Sequence, residues 1–268
     1  MNLQEMMDKY AEEGLTRALA ASRVCQDIVL KALSDGPLSN NVTIKGGVVM
    51  RSLTKNNRRV TSDIDLDFIH YSLNDASIRE FVHKLNRIEG IRIEISGEIK
   101  ELKHQDYHGK SIEVVISDDY ANSIKSKIDI GVHKHLEIDQ ERYCFDVCMD
   151  DRGATLLKNS IEQAFVEKLR SLLKFGAYSR RYKDIYDMFY LKDYASGKKV
   201  RELINLLIID DDGMYENSMA EISGRLKNTF DDEQYIKRVS ESRQRWLDND
   251  IHEITAGIVS FIQTIGEQ

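Results

Sequence analysis

Three aspartates, Asp63, Asp65 and Asp67, alternate with Ile64, Leu66 and Phe68. A two-residue period is that of a strand, so the acids share one face and the apolar side chains the other. Successive carboxylates on such a face lie roughly 7 Å apart, and like charges held side by side repel unless a cation stands between them. A more distant acid, Asp129, sits in Lys127-Ile128-Asp129-Ile130-Gly131, the pattern of one carboxylate projecting from a half-buried strand. Placed beside the first strand, it would join Asp63 and Asp65 in a three-carboxylate cage of hard oxygen donors, which suits Mg²⁺ and the phosphates that Mg²⁺ carries. The plainer alternative is an edge strand whose acids face water.

Upstream of the acids, Val42 and Ile44 end in Gly46-Gly47, and residues 48–53 read as a short helix with Arg51 on an exposed side. A glycine pair feeding a helix lets backbone N–H groups approach a triphosphate, and the helix N-terminus adds positive potential. Lys55, Arg58 and Arg59 form a basic loop between this turn and the acids. Further on, Lys168 falls on the apolar face of residues 160–175, where a lysine either snorkels to water or has a purpose. Asp184 and Asp187 follow at the start of the next helical run, where acids also suit the helix dipole, and Arg180, Arg181 and Lys183 make a second basic cluster. His104 with His108, and His133 with His135, invite a metal reading, but hard oxygen donors already account for the site.

Apolar-Gly-Gly, then Asp-apolar-Asp-apolar, then a distant apolar-Asp-apolar resembles the signature of the DNA polymerase β-like nucleotidyltransferase superfamily. The finer pattern at Lys45, Gly46, Gly47, Arg59, Thr61, Asp63, Ile64, Asp65 and Leu66 is similar to the AbiEii/AbiGii abortive-infection branch, the toxins of bacterial toxin–antitoxin pairs. Lys168 on one helix and the Arg/Lys-Asp-x-x-Asp element around Asp184 resemble the remaining motif of that branch. Two departures are Thr61, where the family usually carries serine, and a longer gap from Gly47 to Asp63 than in the wider superfamily. The resemblance implies a catalytic set of Asp63, Asp65, Asp129, Lys168 and Asp184, with two Mg²⁺ ions on the three strand acids. Nucleotide contacts would come from Lys45, Gly46, Gly47, Arg59, Thr61 and Lys168. It further implies an NTP substrate, an RNA acceptor such as the 3′ end of tRNA, and a cognate antitoxin as partner.

Several elements must position these groups. Apolar positions at three- to five-residue spacing over residues 1–35 predict one or two helices, and Gly36-Pro37 ends them. Asn74 caps a helix reaching about residue 88, and alternation predicts strands at 91–96, 99–102, 111–116, 126–132 and 143–149. Asp150-Asp151-Arg152-Gly153 reads as a seam, after which everything reads as helix, with runs at 200–209, 214–230, 234–246 and 252–265. The expectation is therefore an α+β protein with three parts. These are a helical layer over 1–35, a nucleotidyltransferase core of mixed twisted sheet and flanking helices over 36–150, and a helical C-terminal domain over 151–268. Asp210-Asp211-Asp212-Gly213 reads as a turn, and Trp246 and Tyr235 as packing residues.

The 268 residues, 41% hydrophobic and 31% charged with one proline, describe a globular protein rich in helix. A net charge of −7 argues against a protein that coats nucleic acid by charge alone, while leaving room for a local basic channel. Three cysteines without ligand spacing point to a reducing compartment. No signal peptide is evident, and no apolar run approaches the roughly 20 residues of a membrane span, so a cytoplasmic site is expected. Two rival functions share the motifs. A small-molecule nucleotidyltransferase of antibiotic-resistance type would need an acidic pocket, whereas the basic clusters favour a polyanion. A non-catalytic nucleotide-binding module would have lost a carboxylate or the lysine, and none is missing.

Overall fold

A computed structural model describes residues 1–102 and 109–267, so His104 and His108 lie outside the described residues. The chain divides into two compact units, Met1–Asn159 and Ser160–Gln268.

In the first unit, helices α1 (Leu3–Glu12) and α2 (Arg17–Ser34) are capped by Asn2 and Thr16, whose side-chain oxygens accept from N–H groups of the opening turn. Then follow β1 (Val42–Lys45), α3 (Gly46–Thr54), β2 (Ile64–Phe68), α4 (Asp75–Lys84), β3 (Ile91–Glu101), β4 (Lys110–Asp118), β5 (Ser123–Val132), β6 (Glu141–Val147) and β7 (Asp150–Lys158). The strands form one seven-stranded sheet of order β3-β4-β5-β2-β1-β7-β6, parallel at β2/β5 and β1/β7 and antiparallel elsewhere. The two sequence runs at 91–96 and 99–102 are one strand, β3, broken by a bulge between Ser96 and Lys100.

The core is where alternation placed it. Ile64, Leu66 and Phe68 of β2, Ile44 of β1, and Ile128 and Ile130 of β5 are all fully buried. Helix α2 lays Val24, Cys25, Ile28, Val29 and Leu33 into the same cluster, against β5, β6 and β7. Burial of each such side chain stabilises by roughly 1.5–3 kcal/mol relative to exposure. From α4, Phe81 meets Phe68 edge-on at 5.0 Å between ring centroids.

One expectation fails. Residues 150–153 are no seam and do not open a helical region, because they begin β7, which pairs with β6 and runs parallel to β1. Their acidic, glycine-containing composition mimics a loop, while the strand signal sits beyond it in the buried alternation of Ala154, Leu156 and Lys158. The first unit accordingly extends to Asn159, and takes in the N-terminal helices as well as the sheet.

The second unit contains α5 (Ile161–Phe175), α6 (Tyr182–Leu191), α7 (Gly197–Ile204), α8 (Met219–Phe230), α9 (Glu233–Ser240) and α10 (Ile251–Gly266). Ser160 caps α5 through the Gln163 N–H. Helix α10 packs against α6, α7 and α8, and Phe261 meets Phe165 of α5 at 5.3 Å. The run expected to reach residue 246 stops at Ser240, and Trp246 is buried in the segment beyond. Among the described residues, no helix is long and apolar enough to cross a membrane.

Candidate active site

Strand pairing decides which functional side chains meet in the first unit. Asp65 of β2 is in register with Asp129 of β5 in a parallel pair, so two carboxylates stand side by side on one face. Across the antiparallel pair on its other flank, Asp65 is opposite Lys45. Asp63 lies two residues ahead of Asp65, half-buried, and accepts a hydrogen bond from Ser62 Oγ at 3.1 Å.

Asp129 is the most enclosed of the three. One oxygen, Oδ2, accepts from Lys127 Nζ at 2.7 Å, and Oδ1 is buried with no hydrogen-bond partner among the described residues. Lys127 was missed by sequence reasoning. It lies two residues before Asp129 on the face opposite Ile128, a placement β alternation could have indicated. Burial penalises its charge, but the hydrogen bond and charge of Asp129, followed by the charges of Asp63 and Asp65, outweigh that and hold the ammonium above the ordinary lysine value. A lysine thus serves as counter-ion to all three acids, and no three His, Cys, Asp or Glu side chains among the described residues are drawn together as a metal would hold them. The donor set nevertheless fits Mg²⁺: three hard carboxylates from neighbouring backbone positions, one with a buried oxygen lacking any partner.

The glycine corner abuts the acids. Gly46 has φ +64°, a region that suits glycine, and a Cβ there would collide with the Asp65 carboxylate. At Gly47 a Cβ would run into the side chain of Thr61. Both glycines are therefore demanded by the site's own side chains as well as by the turn. Lys45 precedes α3 in an extended conformation and cannot accept hydrogen bonds, so no side chain caps the first turn of that helix. Its Nζ pairs with Asp67 Oδ1 at 2.6 Å, which places Asp67 in a structural ion pair beneath the corner.

Two arginines depart from expectation. Arg51 is not exposed: its Nη1 donates to the buried Gln26 Oε1, and Gln26 in turn donates to the Thr61 carbonyl at 3.0 Å. Arg59 is buried and donates to the Val60 carbonyl at 3.2 Å.

In the second unit Lys168 neither snorkels nor stands alone. Its Nζ lies 2.9 Å from Asp184 Oδ1 and 2.9 Å from Asp187 Oδ2, two acids one turn apart on α6. Asp187 is wholly buried and also accepts from Trp246 Nε1 at 3.0 Å. Sequence reasoning left Asp187 without a role, although a lysine on an apolar stripe called for a buried counter-ion. Asp211 of the acidic turn pairs with Arg170 at 3.0 Å, and the His133 ring lies 3.3 Å from the Ile138 carbonyl, so both have structural partners.

A mixed sheet that sets an in-register acid pair beside a glycine corner and an uncapped helix start is the kind of site that handles phosphates. The model of the nucleotidyl transferase AbiEii toxin family, type IV toxin–antitoxin system, matches residues 28–256, and the chain belongs to that family. No curated protein matches the sequence. Among solved structures, the chain is similar to an antigenic nucleotidyltransferase-like protein from Paracoccidioides brasiliensis. That likeness has 14% identity and a TM-score of 0.46, and covers 80% of this chain and 92% of the other.

Proposed function

We propose that the protein transfers a nucleoside monophosphate from an NTP to a hydroxyl of RNA, plausibly the tRNA 3′ end, as the toxin of a toxin–antitoxin pair acting in phage defence. The observation that supports it most directly is the register pairing of Asp65 with Asp129 against Gly46 at the start of α3. Asp63, Asp65 and Asp129 are the residues that would hold Mg²⁺, in two ions, whose chemistry is to neutralise triphosphate charge and lower the pKa of an acceptor hydroxyl.

Each of the chain's own groups has a task in this reading. The uncapped N–H groups at Gly46 and Gly47, with the Thr61 hydroxyl, bind phosphate oxygens, and Lys45 adds positive potential beside its Asp67 partner. Arg59 contributes a phosphate contact. Lys168 neutralises charge growing on departing pyrophosphate, with Asp184 and Asp187 fixing the direction of its ammonium. A cognate antitoxin is the partner expected of the family. The reaction occurs in the cytoplasm, where NTP and tRNA are both at hand.

Incubating the protein with Mg²⁺, each labelled NTP, and either total tRNA or a panel of aminoglycosides tests this reading. Label entering RNA, and none with Asp65→Ala, is the expected result. Label entering the small molecules instead would replace RNA with a cationic acceptor, and retained turnover by Asp65→Ala would remove the proposed metal ligands.

A further inference from the structure

Away from the glycine corner, the first unit has a second cleft of about 230 Å³, lined among others by Tyr10, Arg23, Arg51, Lys55, Asn56 and Arg59. Four cations meet there, against the acids Glu13 and Asp146 on the same lining. Arg51 is central to the argument. Its Nη1 is used by Gln26, but Nε and Nη2 are buried with no hydrogen-bond partner among the described residues. Leaving donors of a charged group buried and unsatisfied costs on the order of 1–3 kcal/mol or more, so this guanidinium is short of an acceptor. The unsatisfied edge of a guanidinium is a two-pronged donor whose planar geometry matches phosphate or carboxylate oxygens.

The surroundings select phosphate. Arg23 is held over the Tyr10 ring, 5.3 Å from its centroid, and donates to the Tyr10 hydroxyl at 3.2 Å. Lys55, at the C-terminal end of α3 in a left-handed conformation, is mostly exposed and so able to reach a ligand from the solvent side. Arg51 lies five residues along α3 from Gly46, roughly 7 Å of helical rise, so the cleft opens further down the helix whose start forms the corner. The cleft is smaller than the roughly 300 Å³ at which pockets begin to enclose a whole drug-sized ligand, which suits one phosphodiester of a longer strand better than a complete NTP.

We propose that this cleft is a second phosphate site, in which Arg51, aided by Arg23, Lys55 and Arg59, grips a backbone phosphodiester of the acceptor RNA upstream of its reacting end. The proposal rests on the RNA-transferase reading and adds to it the surface that holds the acceptor. Arg59, the buried arginine of the family-like motif, then serves the acceptor strand rather than the triphosphate.

The test is fluorescence anisotropy with a labelled single-stranded RNA, in EDTA so that no transfer occurs, over a range of salt concentrations. Arg51→Met should weaken RNA binding about tenfold, as expected for a lost charge-assisted hydrogen bond, and lower the salt slope by about one. Lys55→Gln, an exposed change that cannot disturb folding, should lower the same slope. ATP binding, measured with Mg²⁺ present, should stay at the wild-type level in both variants. Unchanged RNA affinity and slope in the two variants would overturn the proposal, as would an equal loss of ATP affinity, which would put the nucleotide's own phosphate in the cleft. The label-transfer assay is independent of this readout. Transfer to RNA with no effect of the two variants sinks the cleft alone, whereas RNA binding through the cleft with no transfer to any acceptor sinks the enzymatic reading alone.

Discussion

Asp129 and Asp65 are register partners on adjacent parallel strands, and Lys127 bonds the buried Asp129 carboxylate at 2.7 Å. The acids are thus assembled by strand pairing itself, and an ammonium offsets their repulsion. Mg²⁺ should raise the melting temperature of the wild-type protein, because a ligand at a hundred times its Kd stabilises by about 2.7 kcal/mol. Asp129→Asn should abolish that rise as well as label transfer. A full Mg²⁺-dependent shift in Asp129→Asn by differential scanning fluorimetry would place the metal elsewhere.

Gly46→Ala should cost activity far more than stability. The left-handed backbone at φ +64° penalises alanine by roughly 1–2 kcal/mol, and the new methyl must displace the Asp65 carboxylate. Transfer should fall at least a hundredfold in a variant whose circular dichroism remains native.

Lys168→Met should be strongly destabilising, by about 3–5 kcal/mol, because it strands the buried Asp187 and its neighbour Asp184 without a cation. Neutralising the acids as well, in Lys168→Met/Asp184→Asn/Asp187→Asn, should restore much of the stability but none of the transfer. Urea denaturation of the single and triple variants checks the first point, and the labelling assay the second.

Thiol chemistry should single out one cysteine. Cys25 and Cys148 are pushed up to about 12, in both cases chiefly by burial, so neither supplies thiolate at pH 8, whereas Cys144 is exposed. Titration of the native protein with a chromogenic disulfide reagent should release about one equivalent rapidly, and the remainder only in denaturant.

The same two thiols give a sign for pH dependence. Their folded pKa lies above the unfolded value of about 8.5, so the stability they contribute is complete below that value and is lost as pH climbs toward 12. Denaturation midpoints should therefore decline from about pH 9 upward. The double variant Cys25→Ala/Cys148→Ala should show a shallower decline than wild type when each is compared with its own value at pH 8.

The candidate site was legible wherever a residue's type and its period agreed. The Asp63-to-Phe68 alternation yields β2 with its acids on one face, and Gly46-Gly47 marks a corner whose necessity the structure traces to Asp65 and Thr61. Asn74 reads as a cap because its side chain competes for the backbone N–H of Ser77, and it does so in the fold. What stayed hidden depended on partners remote in sequence. Arg51 looks like a surface arginine until Gln26 of α2 is placed against it. Asp187 looks like a helix-start acid until Lys168 and Trp246 converge on it. For β7 the difficulty was local, since its charged opening residues outweigh a short buried alternation in any composition-based reading.

Trp246 is the chain's single tryptophan, and its indole N–H is bound to the same carboxylate that holds Lys168. Any event that draws the lysine toward a phosphate shifts charge on the atom group touching the indole, so the emission colour and intensity of the untouched protein carry an optical trace of that event. Titrating nucleotide while watching this intrinsic signal, with Lys168→Arg as the altered reference, would time the lysine's engagement without any attached dye.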